Sequence, residues 1–136
     1  MPHFILEYTD NIKEEVDIPS LLKKVNRILL TFPDLIPIGG LRSRAIELKD
    51  YVVADGTEDD AFIHATLKIG KGRTEEQRTK IADAVFTQMK EHLKDLYDRR
   101  PLAVSMEVYE FNYPTYKWNN IHHRYDERKR TKDRNE

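Results

Sequence analysis

The hydrophobic pattern runs strand, helix, strand, and then runs strand, helix, strand again. A helix between two strands is a crossover, and two such units leave few arrangements besides one sheet carrying both helices. Residues 3–8 alternate, with Phe4, Leu6 and Tyr8 on one face and His3, Ile5 and Glu7 on the other. Asp17-Ile18-Pro19-Ser20 then offers a capping acid with proline in the first turn. Leu21, Leu22, Val25, Ile28 and Leu29 follow at helical spacing, and Pro33 and Pro37 stop the helix before Gly39-Gly40. Period two returns from Leu41 to about Val53, where Arg42, Arg44, Ile46 and Leu48 share a face. Asp55-Gly56 marks a turn, and residues 61–69 form a third strand with Ile63, Ala65, Leu67 and Ile69 on one side. Thr74 and Gln77 are spaced as a capping box, and Ile81, Ala82, Val85, Phe86, Met89, Leu93 and Leu96 continue as a long amphipathic helix. Arg99-Arg100-Pro101 closes it, and Leu102 to Phe111 is the last strand.

The fold expected is α+β, of order β-α-β-β-α-β, with one sheet and two helices on one face. Two helices cover one face only, so the other needs a partner, and subunits are expected to pack there. Ala45, Ala65 and Val104 indicate that neither face is fully polar. Residues 1–123 are read as a single domain, with residues 112–121 an aromatic, irregular segment docking on the domain or on a neighbour. Residues 124–136 hold six Lys/Arg against four Asp/Glu and are expected to be a disordered tail.

Composition excludes several functions. Among 136 residues there is no cysteine, so no disulfide framework, thiolate metal site or cysteine nucleophile is available. A net charge of −1 argues against a general nucleic-acid or membrane-surface binder. No apolar run reaches the roughly 18–20 residues of a membrane span, and no signal peptide is evident, so a cytoplasmic protein is expected. His3, His64, His92, His122 and His123 lack helical metal-ligand spacing. Asp55, Asp59 and Asp60 read as an acidic solvated turn. Gly70-Lys71-Gly72 is too short for a dinucleotide fingerprint.

Pro2 is the first candidate for chemistry. Removal of Met1 would leave a free secondary amine, and burial or nearby cations would lower its pKa towards that of a general base. Many chains begin Met-Pro, and most make no catalytic use of it. Pro2 opens directly into a strand, Arg42-Ser43-Arg44 begins another after a Gly-Gly loop, and Arg73 sits at a glycine turn before a helix. Arginine binds carboxylates in bidentate fashion, so a base beside these groups suits proton transfer next to a carboxylate or enolate. Strand-edge salt bridges for Arg42 and Arg44, and a solvated loop for Arg73, are the competing readings.

Met1-Pro2-His3-Phe4-Ile5, Glu7, Asp10-Asn11-Ile12 and Lys24-Val25-Asn26 resemble the start of the 5-carboxymethyl-2-hydroxymuconate Delta-isomerase family. Leu41-Arg42-Ser43-Arg44, Ala54-Asp55-Gly56, Phe62-Ile63-His64, Thr66-Leu67-Lys68-Ile69-Gly70, Gly72-Arg73 and Asn119-Asn120-Ile121-His122 continue the resemblance in order to about residue 123. The resemblance places the chain in the tautomerase superfamily, with an amino-terminal catalytic proline and a homotrimeric assembly. It implies an isomerase of homoprotocatechuate (4-hydroxyphenylacetate) breakdown acting on a dienol tricarboxylate without cofactor or metal. Pro2 would take the 2-hydroxyl proton and return a proton to C5. Arg42 and Arg73 would bind carboxylates and stabilise the dienolate, with Arg44 in a supporting place. The alternatives are a tautomerase of a smaller 2-oxo acid, a non-catalytic trimeric scaffold, and a ferredoxin-like RNA-binding module. The aromatic signature of the last is missing from the strands.

Overall fold

The computed structural model describes residues 1–126. Its regular elements are β1 (His3–Thr9), α1 (Ile18–Leu29), β2 (Arg42–Leu48), β3 (Ala61–Ile69), α2 (Glu75–Arg99) and β4 (Leu102–Glu110). They form one four-stranded sheet in the order β2-β1-β3-β4. β1 pairs parallel to β2, β3 pairs parallel to β4, and β1 and β3 meet antiparallel at the centre. Each half is a parallel β-α-β unit, as the repeated pattern requires.

The register fixes which residues share a face. Leu6 lies between Ala45 and Ala65, and Ala65 lies beside Met106. This face meets both helices. Ser43 hydrogen-bonds Asn26 of α1, and Glu110 pairs with Arg78 of α2. Phe4, Leu6, Ile63, Leu67 and Ile69 are fully buried against Leu21, Val25 and Leu29 of α1 and Ile81, Val85 and Met89 of α2. Each such side chain contributes about 1.5–3 kcal/mol on burial.

Both helix starts are built as the sequence requires. The Asp17 carboxylate accepts the Ser20 N–H at 3.1 Å. Thr74 and Gln77 form a reciprocal capping box, with bonds of 3.1 and 2.8 Å.

Three details differ from the sequence reading. β2 ends at Leu48 rather than near Val53. Its partner β1 ends opposite, at Thr9, and turns into the 3-10 helix Asp10–Ile12, so later residues have no strand to pair with. β4 closes at Glu110, although the Phe111 N–H still reaches the Ile69 carbonyl at 2.9 Å. Ala45, Ala65 and Val104 lie on the helix-covered face, because the register sets the two alanines beside Leu6 and Val104 beside Ile63. The apolar content of the open face comes instead from Ile5, Ile46, Leu48 and Phe62, with Ile46 46% exposed. Of the charged stretch 124–136, residues 124–126 lie in a helical turn and the rest falls outside the described residues.

Candidate active site

The strand directions gather four chain segments at one pole of the sheet. β1 and β2 begin there, with His3 opposite Arg42. β3 and β4 end there, since His3 lies opposite Lys68, and Lys68 opposite Tyr109. Pro2, Arg42, the Gly70–Arg73 turn and the segment after Phe111 therefore converge, although up to a hundred or so residues separate them.

Pro2 is buried, and its carbonyl accepts the Arg42 N–H at 3.1 Å. The Arg42 guanidinium turns back over this corner, with Nη1 3.0 Å from the Gly40 carbonyl and 3.1 Å from the Met1 sulfur. The α-amine at Met1 lies in the field of three cations. Burial lowers its pKa most, and Lys117, Arg73 and Arg42 lower it further.

Arg73 enters from the turn after β3. Gly72 has φ +109°, a conformation that side chains rarely adopt. The guanidinium bridges two loops, with Nη1 donating to the Gly70 carbonyl at 2.6 Å and Nη2 to the Leu35 carbonyl. Its Nε is buried with no partner among the described residues. Burial lowers its pKa, and Glu110 acts in the opposite sense. Arg78 fixes the Arg73 main chain by donating to its carbonyl at 2.9 Å, and pairs with Glu110 at 2.7 Å.

Arg44 stands apart from this corner. It is exposed on the open face, with Nη1 3.1 Å from His3 Nδ1. An arginine can only donate, so His3 accepts at Nδ1 as a neutral ring. Burial, then Arg44 and Arg42, hold the His3 pKa below its ordinary value. The structure thus groups Arg42 and Arg73 with Pro2, and places Arg44 two residues along the strand beside His3.

A cleft of about 350 Å³ opens at the same pole. Met1, Gly70, Lys71, Phe111, Tyr113 and Lys117 are among its lining residues. Lys117 is the functional candidate that residue-by-residue reading missed. Its one visible signal was being the single charged residue in the aromatic run 112–118.

The remaining candidates have local partners. His122 packs its ring on Gly39, and Asn119 donates to the Gly39 carbonyl at 2.9 Å. The 112–121 segment thus docks on its own domain at this end, whereas Tyr116 and Trp118 stay fully exposed. His64 meets Ser105 at 2.7 Å, and His92 bridges Lys24 and the Asp17 carbonyl at 3.1 Å each. In the acidic turn, Asp55 binds Thr57, while Asp59 accepts from Asn11 and pairs with Arg100.

The model for the 5-carboxymethyl-2-hydroxymuconate isomerase family matches residues 2–125. The chain belongs to this family of isomerases. It is 44% identical over 124 residues to the 5-carboxymethyl-2-hydroxymuconate Delta-isomerase of Escherichia coli, covering 90% of this chain and 97% of that protein. A crystal structure of a 5-carboxymethyl-2-hydroxymuconate isomerase from Deinococcus radiodurans R1 is 47% identical, with a TM-score of 0.86 over 91% of this chain and 93% of that one. A second crystal structure of a 5-carboxymethyl-2-hydroxymuconate delta-isomerase, 22% identical, shares the fold with a TM-score of 0.85 over 92% and 93% of the two chains. The family's tautomerase-type fold agrees with the β-α-β-β-α-β plan read from the sequence.

Proposed function

We propose that this isomerase converts 5-carboxymethyl-2-hydroxymuconate to its 2-oxo isomer, with Pro2 as the base once Met1 has been removed. The observation that carries the reading is the convergence of Pro2, Arg42 and Arg73 at one pole, beside the Met1 α-amine, whose pKa is lowered. While Met1 is attached, the Pro2 nitrogen is an amide and has no basicity. Freed, it becomes a secondary amine one residue from the Met1 amine, whose pKa is lowered by burial and then by Lys117, Arg73 and Arg42, and the same surroundings would favour its neutral, proton-accepting form.

The chemistry balances without a cofactor or a metal. The neutral amine takes the proton of the 2-hydroxyl, and the O–H electron pair forms the C2 carbonyl. The diene electrons shift along the chain, and the prolyl ammonium returns a proton to C5. One proton leaves oxygen and one arrives at carbon, so the step is an isomerisation. Arg42 and Arg73 bind carboxylates and stabilise the dienolate as its charge develops. Arg44, beside His3, has a supporting place at the edge of the site. A second copy covers the open sheet face in a homotrimer, supported by Ile46 and Tyr109 standing 46% and 51% exposed there. The reading places the enzyme in the cytoplasm and in homoprotocatechuate breakdown. Among the described residues no helix is long and apolar enough to cross a membrane.

The test is the ultraviolet decay of 5-carboxymethyl-2-hydroxymuconate, using protein whose N-terminus is checked by intact mass. Processed protein should convert it rapidly, whereas Pro2→Ala and the form retaining Met1 should not. Full activity in the form retaining Met1 would overturn Pro2 as the base. Turnover of smaller 2-oxo acids alone would overturn the substrate.

A further inference from the structure

The segment that crosses the site pole is fastened at its ends, and among the described residues its middle makes no hydrogen bond or ion pair. At one end the Phe111 N–H binds the Ile69 carbonyl at 2.9 Å. At the other, Asn119 binds the Gly39 carbonyl at 2.9 Å and His122 packs on Gly39. Between them Tyr113, Tyr116 and Trp118 are 83%, 102% and 105% exposed, so the aromatic side chains do not hold the span down. The span nevertheless lines the cleft with Asn112, Tyr113, Pro114, Thr115 and Lys117, facing Met1. Lys117 is its single charge and makes no ion pair among the described residues.

The proposed substrate needs such a cation. A muconate bears two carboxylates, and its carboxymethyl substituent adds a third. Arg42 and Arg73 are two receptors, and Arg73 already spends donors on the Gly70 and Leu35 carbonyls. We infer that Lys117, held over the cleft by the span between Phe111 and Asn119, is the receptor for a further substrate carboxylate and sets the preference for polycarboxylates. This inference rests on the isomerase reading given above. Lys117 also exerts the largest charge effect on the α-amine, ahead of Arg73 and Arg42, which agrees with its position over the site.

Lys117 is exposed, so its attraction is partly screened. Removing the charge should weaken tricarboxylate binding by about threefold to thirtyfold, between an exposed ion pair and a charge-assisted hydrogen bond. The experiment compares wild type, Lys117→Met and Lys117→Arg. Its readouts are KM and kcat for 5-carboxymethyl-2-hydroxymuconate and for the monocarboxylate phenylenolpyruvate. Calorimetric binding of tricarballylate, a tricarboxylate with no reactive double bond, is the third. Support is a rise in KM and Kd for the tricarboxylates that exceeds any rise for the monocarboxylate, shrinks at high salt, and reverts in Lys117→Arg. Equal tricarboxylate KM and Kd in wild type and Lys117→Met overturns the inference while leaving the isomerase intact. Wild type that binds tricarballylate through Lys117 but does not turn over the muconate supports the receptor and overturns the substrate. Wild type that neither binds tricarballylate nor turns over the muconate overturns both.

Discussion

Replacing Gly39 by alanine should detach the end of the cleft-crossing segment at a cost that can be worked out beforehand. The added methyl would lie 2.5 Å from His122 Nδ1 and 3.0 Å from both its Cγ and its Cα. Comfortable contact is about 3.5–4.0 Å, so the overlap with the ring is roughly 1 Å. The ring can swing aside, but Cα belongs to the backbone and cannot. Tolerating the overlap would cost about 1–3 kcal/mol. Lifting the segment would forfeit the Asn119–Gly39 bond, about 0.5–1.5 kcal/mol. It would also expose part of Ile121, now 40% exposed, for up to about 1 kcal/mol more. The molecule takes the cheaper route, so the expected loss is about 0.5–2.5 kcal/mol. With a urea slope of about 1.5 kcal/mol per molar, the midpoint should fall by roughly 1 M at fixed protein concentration. Hydrogen exchange at the Ile121 amide, now bonded to Asn119 Oδ1 at 2.7 Å, should accelerate in parallel. In a His122→Ala background the same substitution should cost less, because only the contact with Cα remains. An unchanged midpoint with unchanged Ile121 exchange would refute the docking argument, as would an equal cost in both backgrounds.

Thr74→Ala removes one half of the α2 capping box and should lower stability by about 1 kcal/mol in thermal or urea unfolding, with Thr74→Ser restoring most of it. Arg78→Gln should lower kcat/KM several-fold, measured in the muconate assay, because it frees the Arg73 carbonyl and breaks the pair with Glu110. Its effect on stability should stay near 1 kcal/mol, since both partners are about a third exposed. Acidification should destabilise the fold through His3 and His92. Burial depresses both pKa values first, and Arg44 and Lys24 are the leading charges. The unfolded chain takes up these protons near pH 6.5, before the folded chain does. Stability is therefore held above about pH 6.5 and drains as pH falls through that value and then through the lower folded ones. Urea midpoints at pH 7.5 and 5.0 check the sign, and a midpoint that rises on acidification contradicts it.

The fold was legible wherever neighbours in sequence decide the outcome. The α2 capping box, the Asp17 cap and the alternation of β3 are all local, and each appears as its spacing required. What was not legible depends on distant partners. The end of β2 is set by the end of β1, some forty residues earlier. The face taken by Ala45, Ala65 and Val104 is set by register, and alanine suits either face. In the site, parity puts Arg42 and Arg44 on one face, and only the fold separates them. Arg42 curls back to Met1 at the strand end, while Arg44 hydrogen-bonds His3. The docking of Asn119 on Gly39 joins positions 80 residues apart, and Lys117 meets Met1 and Lys71 around the cleft, both through irregular chain where no periodicity exists to be read.

If Pro2 is the base, as proposed, the central position of β1 also bears on when Met1 can be removed. Pro2 is buried beside β1, and β1 is paired on both edges in the finished sheet. Its second partner is complete only at Ile69, sixty residues after Thr9. At about 5–20 residues per second, a ribosome needs roughly 3–12 s to make that stretch. An aminopeptidase has that interval to remove Met1 from an unpaired, accessible end. Once β3 closes against β1, the Met1–Pro2 bond lies in a corner where Arg42 contacts the Met1 sulfur and the Gly40 carbonyl, and removal of Met1 would have to proceed from within the cleft that Met1 lines. The share of active enzyme in a preparation would then depend on synthesis as well, and overproduction that outruns the aminopeptidase would yield correctly folded, unprocessed molecules.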